Sequence, residues 1–141
     1  MEIKKVNYIE NKNITKTALD KYTKEMFPEL DNESKELSFL YEENGKILGR
    51  IVGFLHWDHI QIELFFVSKD SRGKGVGISL FSKIEELARQ NKVSYILLET
   101  MSFNAPTFYE KRGFELLATI ENSPVKNENR YFYIKRYSYE S

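Results

Sequence analysis

Apolar residues recur along this chain with two periods, and the change from one to the other marks its elements. "GISLFSKIEELARQNK" carries the clearest pattern. Val76, Leu80, Phe81, Ile84, Leu87 and Ala88 fall at i, i+4, i+5, i+8, i+11 and i+12, one apolar stripe along a helix. "NITKTALDKYTKEMF" repeats the helical spacing through Ile14, Ala18, Leu19, Tyr22 and Met26, with Asn13 or Thr15 as its cap and Pro28 marking its end. The period then drops to two. "ELSFLYEENGKILGRIVGFLHW" holds two strand-like runs around Asn44-Gly45, a pair suited to the positive φ of a tight hairpin turn. "WDH" reads as a second turn into "IQIELFFV". Alternation there puts Ile60, Ile62, Leu64 and Phe66 on one face and Gln61, Glu63, Phe65 and Val67 on the other.

"VSYILLET" is a short apolar run of the kind found in buried strands. "NAPTFYEKRGF" predicts a short helix closed by Gly113, with Pro106 in its first turn and Asn104 as cap. "EIKKVNYI" at the start, and "FELLATI" and "RYFYIKRYSY" at the end, complete the set as strands. The predicted order is β-α-β-β-β-α-β-α-β-β. That is an α+β or mixed α/β architecture, expected as a single domain over residues 1–141.

Composition narrows the chemistry. The 21 Lys+Arg balance the 21 Asp+Glu, so no net field favours nucleic acid or an anionic membrane. The chain has no cysteine, which removes disulfides, thiolate metal sites and a cysteine nucleophile. No apolar run approaches the roughly 18 residues of a membrane span. "MEIKKVNYIENK" lacks the apolar core of a signal peptide. These features predict a cytoplasmic protein with no metal, nucleic-acid or membrane partner.

"VSKDSRGKGVGISL" departs from a generic pattern. Gly73, Gly75 and Gly77 stand at alternate positions, with Arg72 and Lys74 among them, between a strand and the best helix of the chain. A glycine turn entering a helix exposes backbone amides at the positive end of the helix dipole, which suits a phosphate or pyrophosphate. Spacing excludes the common nucleotide motifs. There is no G-x-x-x-x-G-K-[ST], and G-x-G-x-G after hairpin strands is not the dinucleotide fingerprint. A kinase glycine loop lies between two strands, not at a helix start.

Arg72, Gly75 and Gly77, after an apolar strand ending at Val67, fit [RQ]-x-x-G-x-[GA]. This resembles the acyl-CoA signature of the GNAT superfamily of N-acetyltransferases. "NAPTFYEKRGFE" resembles the superfamily's later segment, N-x-x-A-x-x-[FL]-Y-x-x-x-G-F. The likeness covers residues 37–120 best. "ENSPVKNENRYFYIKRY" is similar to a bacterial subgroup described as streptothricin-acetyltransferase-like. The resemblance implies a mixed, mostly antiparallel sheet of six or seven strands, flanked by three or four helices and splayed at its fourth and fifth strands. It also implies transfer of an acetyl group from acetyl-CoA, the co-substrate, directly to a primary amine.

On that resemblance, the amides from Arg72 through Gly73, Lys74, Gly75, Val76, Gly77 and Ile78 hold the pyrophosphate. Phe65, Phe66 and Val67 pair with the pantetheine arm as an added strand, and an N–H of the same strand polarises the thioester carbonyl. A lysine-like acceptor, of pKa about 10.4, must lose a proton before it attacks. Glu63, Glu99 and His56 stand as alternative bases. Tyr109 matches the tyrosine that protonates the leaving thiolate. The superfamily's asparagine lies seven residues before that tyrosine, whereas Asn104 lies five before it and Ser102 seven, so the cofactor contact is open between them. The acceptor is expected to be a small-molecule amine. A protein terminus or lysine, or a non-catalytic acyl-CoA-binding module, are the alternatives, and a homodimer is an open option. The acidic run Glu29, Asp31, Glu33 and Glu36 can draw in a cationic amine.

Overall fold

The structure is a computed structural model and describes residues 1–139. Contacts group the chain into two compact units, Met1–Glu33 and the chain from Ser34 onward. The first unit holds one helix, α1 (Tyr8–Met26). The strand expected at "EIKKVNYI" does not form, because residues 1–7 lie outside any element and the helix begins at Tyr8. The cap is neither Asn13 nor Thr15 but Asn7, whose side-chain oxygen accepts the Glu10 N–H at 3.0 Å. Asn7-x-x-Glu10 places a capping oxygen and an acidic side chain at the positive helix end, and a loose alternation with no partner strand does not compete with that. The helix stops at Met26, before Pro28, and the Phe27 N–H reaches the Thr23 carbonyl at 2.8 Å.

The second unit contains β1 (Lys35–Glu43), β2 (Lys46–His56), β3 (His59–Val67), a 3-10 turn at Lys69–Ser71, α2 (Val76–Gln90), β4 (Tyr95–Met101), α3 (Thr107–Lys111), β5 (Glu115–Ile120) and β6 (Arg130–Arg136). Its six strands form one mixed sheet in the order β1-β2-β3-β4-β6-β5. Only β3 and β4 run parallel. The β1–β2 hairpin turns at Asn44 and Gly45, with φ of 52° and 78°. The apolar stripe of α2 buries Val76, Leu80, Phe81, Ile84 and Ala88 against Leu48, Ile51, Ile60, Ile62, Ile96 and Leu98 of the sheet, with Leu87 half-buried at its margin. Each large aliphatic or aromatic side chain fully withdrawn from water here contributes about 1.5–3 kcal/mol. Among the described residues, no helix is long and apolar enough to cross a membrane.

Two local departures from the sequence pattern position the site. The first is in β3. Ile60 and Ile62 are buried as expected, but Leu64 is 72% and Phe66 62% exposed, and Phe65 and Val67 pack on the core instead. Val52 pairs with Leu64 while the next residue, Gly53, pairs with Ile62, leaving Glu63 as an extra residue. Such a bulge moves every later side chain to the opposite face. Gly53 makes room for it, because a Cβ there would collide with the Gln61 carbonyl oxygen. The second departure is in α3, which starts at Thr107, one position after Pro106, so Asn104 does not cap it. Its end is as expected: Gly113, at φ 92°, lets the Phe114 N–H return to the Tyr109 carbonyl at 3.0 Å. β4 is buried along one face only, through Ile96, Leu98 and Thr100, while Glu99 is exposed.

Candidate active site

β3 and β4 share only three pairs, His59 with Tyr95, Ile60 with Ile96 and Gln61 with Leu97. The bulge at Glu63 comes immediately after, and extra twist there carries the two strands apart. Residues 63–67 of β3 therefore present main-chain donors and acceptors with no ladder partner on the β4 side. Glu63 and Glu99 follow this paired segment on β3 and β4 respectively, one on each side of the rift. His56 lies elsewhere. It ends β2 at the turn into β3, at the closed end of the strand pair, with its ring 4.3 Å from that of Trp57.

Aromatic rings line the diverging strands. The Phe65 ring centroid lies 4.9 Å from Phe81 of α2, 5.7 Å from Phe108 and 6.4 Å from Tyr109 of α3. The first turn of α2 comes close to these rings at Gly77, where a Cβ would sit 3.1 Å from Phe65 Cζ and 3.2 Å from Phe108 Cζ. A side chain at this position would need the two rings to give way by a few tenths of an ångström.

The loop between β3 and α2 is shaped by its own hydrogen bonds. Ser71 is buried, and its N–H reaches the Ser68 carbonyl at 2.9 Å. The Ser68 and Ser71 hydroxyls bond at 2.7 Å. Gly75 then takes the N-cap of α2 at φ 82°, a conformation with little penalty for glycine alone, and open space surrounds its missing Cβ. Ser79 returns both its N–H and its hydroxyl to the Gly75 carbonyl, at 3.0 and 2.9 Å. The Arg72 N–H turns back to the Lys69 carbonyl, but the six amides from Gly73 to Ile78 find no backbone acceptor among the described residues. They stand at the positive end of a 15-residue helix. Lys74 is exposed beside them, and Val76 turns its side chain into the core, so only its main chain faces outward chemistry. Arg72 folds back over the end of β3, where Nε donates to the Val67 carbonyl at 3.3 Å and the guanidinium lies 6.0 Å from the Phe66 ring.

Tyr109 is 7% exposed and ringed by Phe65, Phe81, Phe108, Phe114 and Tyr133. Burial pushes its phenol above the ordinary tyrosine value, and a hydrogen bond with the Thr100 side chain offsets part of that rise. Thr100 is itself only 5% exposed. Neither it nor Arg130 was signalled as a site residue by motif or spacing. Thr100 could have been found as the polar position that closes the buried stripe Ile96–Leu98. Arg130 comes from β6, and its Nε lies 3.0 Å from a Glu99 carboxylate oxygen. No local pattern reveals it, because the pair depends on the β4–β6 register that sets Met101 opposite Arg130.

The two alternatives for the asparagine position also separate. Ser102 accepts the Asn129 N–H at 2.8 Å and donates to the Glu128 carboxylate, while its own N–H reaches the Asn129 carbonyl at 2.8 Å. Asn104 is exposed, with its N–H on the Met101 carbonyl at 2.9 Å. The structure thus brings together Phe65, Val67, Arg72, the glycine loop and Tyr109. It sets Glu63 and Glu99 on opposite lips of the rift and His56 apart from it.

Comparisons with known proteins show the family. The family model described as Acetyltransferase (GNAT) family matches residues 6–114. The chain is 34% identical over 83 residues to blasticidin-S acetyltransferase of Streptomyces morookaense, a match that spans 58% of this chain and 61% of that protein, under two thirds of its length. It is 30% identical over 135 residues to streptothricin acetyltransferase A of Bacillus subtilis, covering 84% of this chain and 78% of that one. Among solved structures, an acetyltransferase from Bacillus cereus superposes with a TM-score of 0.84 at 28% identity, over 97% of this chain and 98% of the other.

Proposed function

Since the chain belongs to the acetyltransferase (GNAT) family, we propose that it moves the acetyl group of acetyl-CoA directly onto a primary amine of a small molecule. One observation carries the proposal: among the described residues, the six amides at the head of α2 have no backbone acceptor and adjoin a stretch of β3 with no ladder partner on the β4 side, a phosphate cradle next to an open sheet edge. The pyrophosphate fits the amides of Gly73 to Ile78, with Arg72 and Lys74 adding charge. The pantetheine arm carries amides of its own and can pair with residues 65–67 as an extra strand. Arg72 must then release the Val67 carbonyl, which frees its guanidinium for a phosphate. An N–H beside the bulge supplies the oxyanion donor.

The amine nitrogen attacks the thioester carbonyl, giving up a proton to a carboxylate, and the C–S bond breaks as the thiolate takes a proton from Tyr109. We assign the base to Glu63. Its carboxylate is exposed at the bulge, whereas that of Glu99 is engaged by Arg130. His56 has no part in this scheme, being at the closed end of the strands. Asn104, not Ser102, is left to meet the cofactor, because the Ser102 hydroxyl is already spent on Glu128 and Asn129. The buried phenol of Tyr109 keeps its proton at neutral pH and can hand it to a thiolate of ordinary thiol pKa about 8.5 over a short distance.

The two relatives named for blasticidin S and streptothricin favour a small-molecule acceptor. A thiol-release assay with acetyl-CoA tests this against polyamines, aminoglycosides, streptothricin-like amines and peptides with free termini or lysines. Turnover is expected with a small cationic amine and not with the peptides. Turnover confined to peptides would overturn the acceptor class.

A further inference from the structure

The geometry points to Arg72 as the residue that selects the acetyl donor: we propose that its side chain closes the edge of β3 until a phosphate draws it away, so that thioesters bearing a diphosphate are used in preference to short pantetheine thioesters. The inference rests on the acetyl-CoA reading above. The Ser68 N–H bonds across to β2, reaching the Leu48 carbonyl at 2.9 Å. Val67 pairs with Gly49, one step before that bond in the same register. Successive residues of an antiparallel pair alternate between bonding the partner strand and facing away from it, so the main chain of Val67 turns from β2 toward the rift. Phe65, two residues earlier, turns the same way. Neither has a ladder partner on β4. The Val67 carbonyl is nevertheless taken, by Arg72 Nε at 3.3 Å.

The loop itself sets up this contact. The Ser71 N–H reaches the Ser68 carbonyl at 2.9 Å, the Ser68 hydroxyl donates to that of Ser71 at 2.7 Å, and Ser71 is buried. That fixed turn brings Arg72 back beside the end of β3. The Phe66 ring, 6.0 Å from the guanidinium, gives it a second hold. Among the described residues no carboxylate pairs with Arg72, and Nε is the only guanidinium nitrogen with a hydrogen-bond partner. Its charge is therefore met by a neutral carbonyl alone. A bond between ionised groups is roughly twice as strong as one between neutral groups. Arg72 therefore leaves the carbonyl for a diphosphate held at the amides of Gly73 to Ile78, the next residues along the chain. The Val67 carbonyl is then open to an amide N–H of the pantetheine arm. A short thioester carries no phosphate and has to displace Arg72 unaided.

Calorimetry on the whole chain tests this with the co-substrate supplied as separate pieces, ADP and S-acetylpantetheine. In the wild type each is expected to tighten the binding of the other about fivefold, a coupling that must be reciprocal. Arg72→Ala, at an exposed position, should bind S-acetylpantetheine alone about fivefold more tightly than the wild type does, bind ADP less tightly, and lose the coupling. Lys74→Ala also removes a charge from the loop. It should weaken ADP binding and keep the coupling. The carbon shift of a labelled Val67 carbonyl gives a second readout. It should move when ADP binds the wild type, and in Arg72→Ala it should already be displaced and stay there when ADP is added. S-Acetylpantetheine bound no more tightly by Arg72→Ala, or equal coupling in the two proteins, overturns the selection by Arg72 and leaves the acetyl-CoA reading standing. A wild type that does not bind ADP overturns the phosphate cradle itself, and the proposal falls with it.

Discussion

Tyr109 and the two carboxylates of the rift can be told apart by how each depends on pH and on the acceptor. Tyr109→Phe keeps the ring and its packing, so acetyl-CoA affinity measured by calorimetry should stay within about twofold while kcat falls about a hundredfold, the usual weight of a general acid. Glu63→Gln acts at the other proton. It should lower kcat/KM for the amine about a hundredfold near pH 7, and by much less once pH approaches the amine pKa of about 10.4, where the acceptor is already neutral. Glu99→Gln should have a smaller effect at every pH, because the carboxylate it replaces is engaged by Arg130 at 3.0 Å. Equal losses from the two variants would return Glu99 to the role of base.

At the scale of elements, the bulge in β3 and the head of α2 together make the site. Gly53→Ala drives a methyl into the backbone of Gln61 and Ile62, so the bulge must shift or the pairing must break. The expected loss is about 1–3 kcal/mol of stability, with activity falling further than stability does; chemical denaturation and turnover measured together check it. Gly75→Asp meets open space and adds only the strain of a left-handed side chain, about 1–2 kcal/mol. It should leave the protein folded and abolish acetyl-CoA binding through charge repulsion.

Most of this element plan was readable from local pattern. The α2 stripe, the Asn44-Gly45 turn and the glycine loop each carry their information within a few residues. What the pattern could not show lies in pairs distant along the chain. Glu63 is a bulge only because Gly53 on another strand makes room, and period-two reading therefore put Leu64 and Phe66 on the wrong face. Arg130 meets Glu99, and Ser102 meets Glu128, through the register of β6 with β4. The Asn7 cap was legible as Asn-x-x-Glu, but an apparent alternation across the same residues obscured it.

Over the whole molecule, buried phenols govern the alkaline limit of stability. Burial, followed by the hydrogen bond to Glu110, pushes Tyr133 up to about 12; burial, followed by the nearby Glu85 carboxylate, does the same for Tyr137. Their folded values lie above the ordinary 10.0, so the folded state holds these protons more tightly than the unfolded chain does. The associated stability is complete below pH 10 and is lost as pH rises toward 12. Urea midpoints measured from pH 8 to 12 should be flat at first and then fall steeply. In Tyr133→Phe the fall should be shallower, on a starting stability lower by about 1–3 kcal/mol for the bond lost to Glu110.

The central claim is that the glycine loop and the free edge of β3 together hold acetyl-CoA. Amide-resolved NMR during titration with acetyl-CoA tests it most directly. The account predicts the largest shifts at the amides of Gly73 to Ile78 and Glu63 to Val67, with smaller ones at Asn104 and Tyr109 and little change at His56. Saturable binding that leaves the Gly73–Ile78 amides unmoved would contradict it.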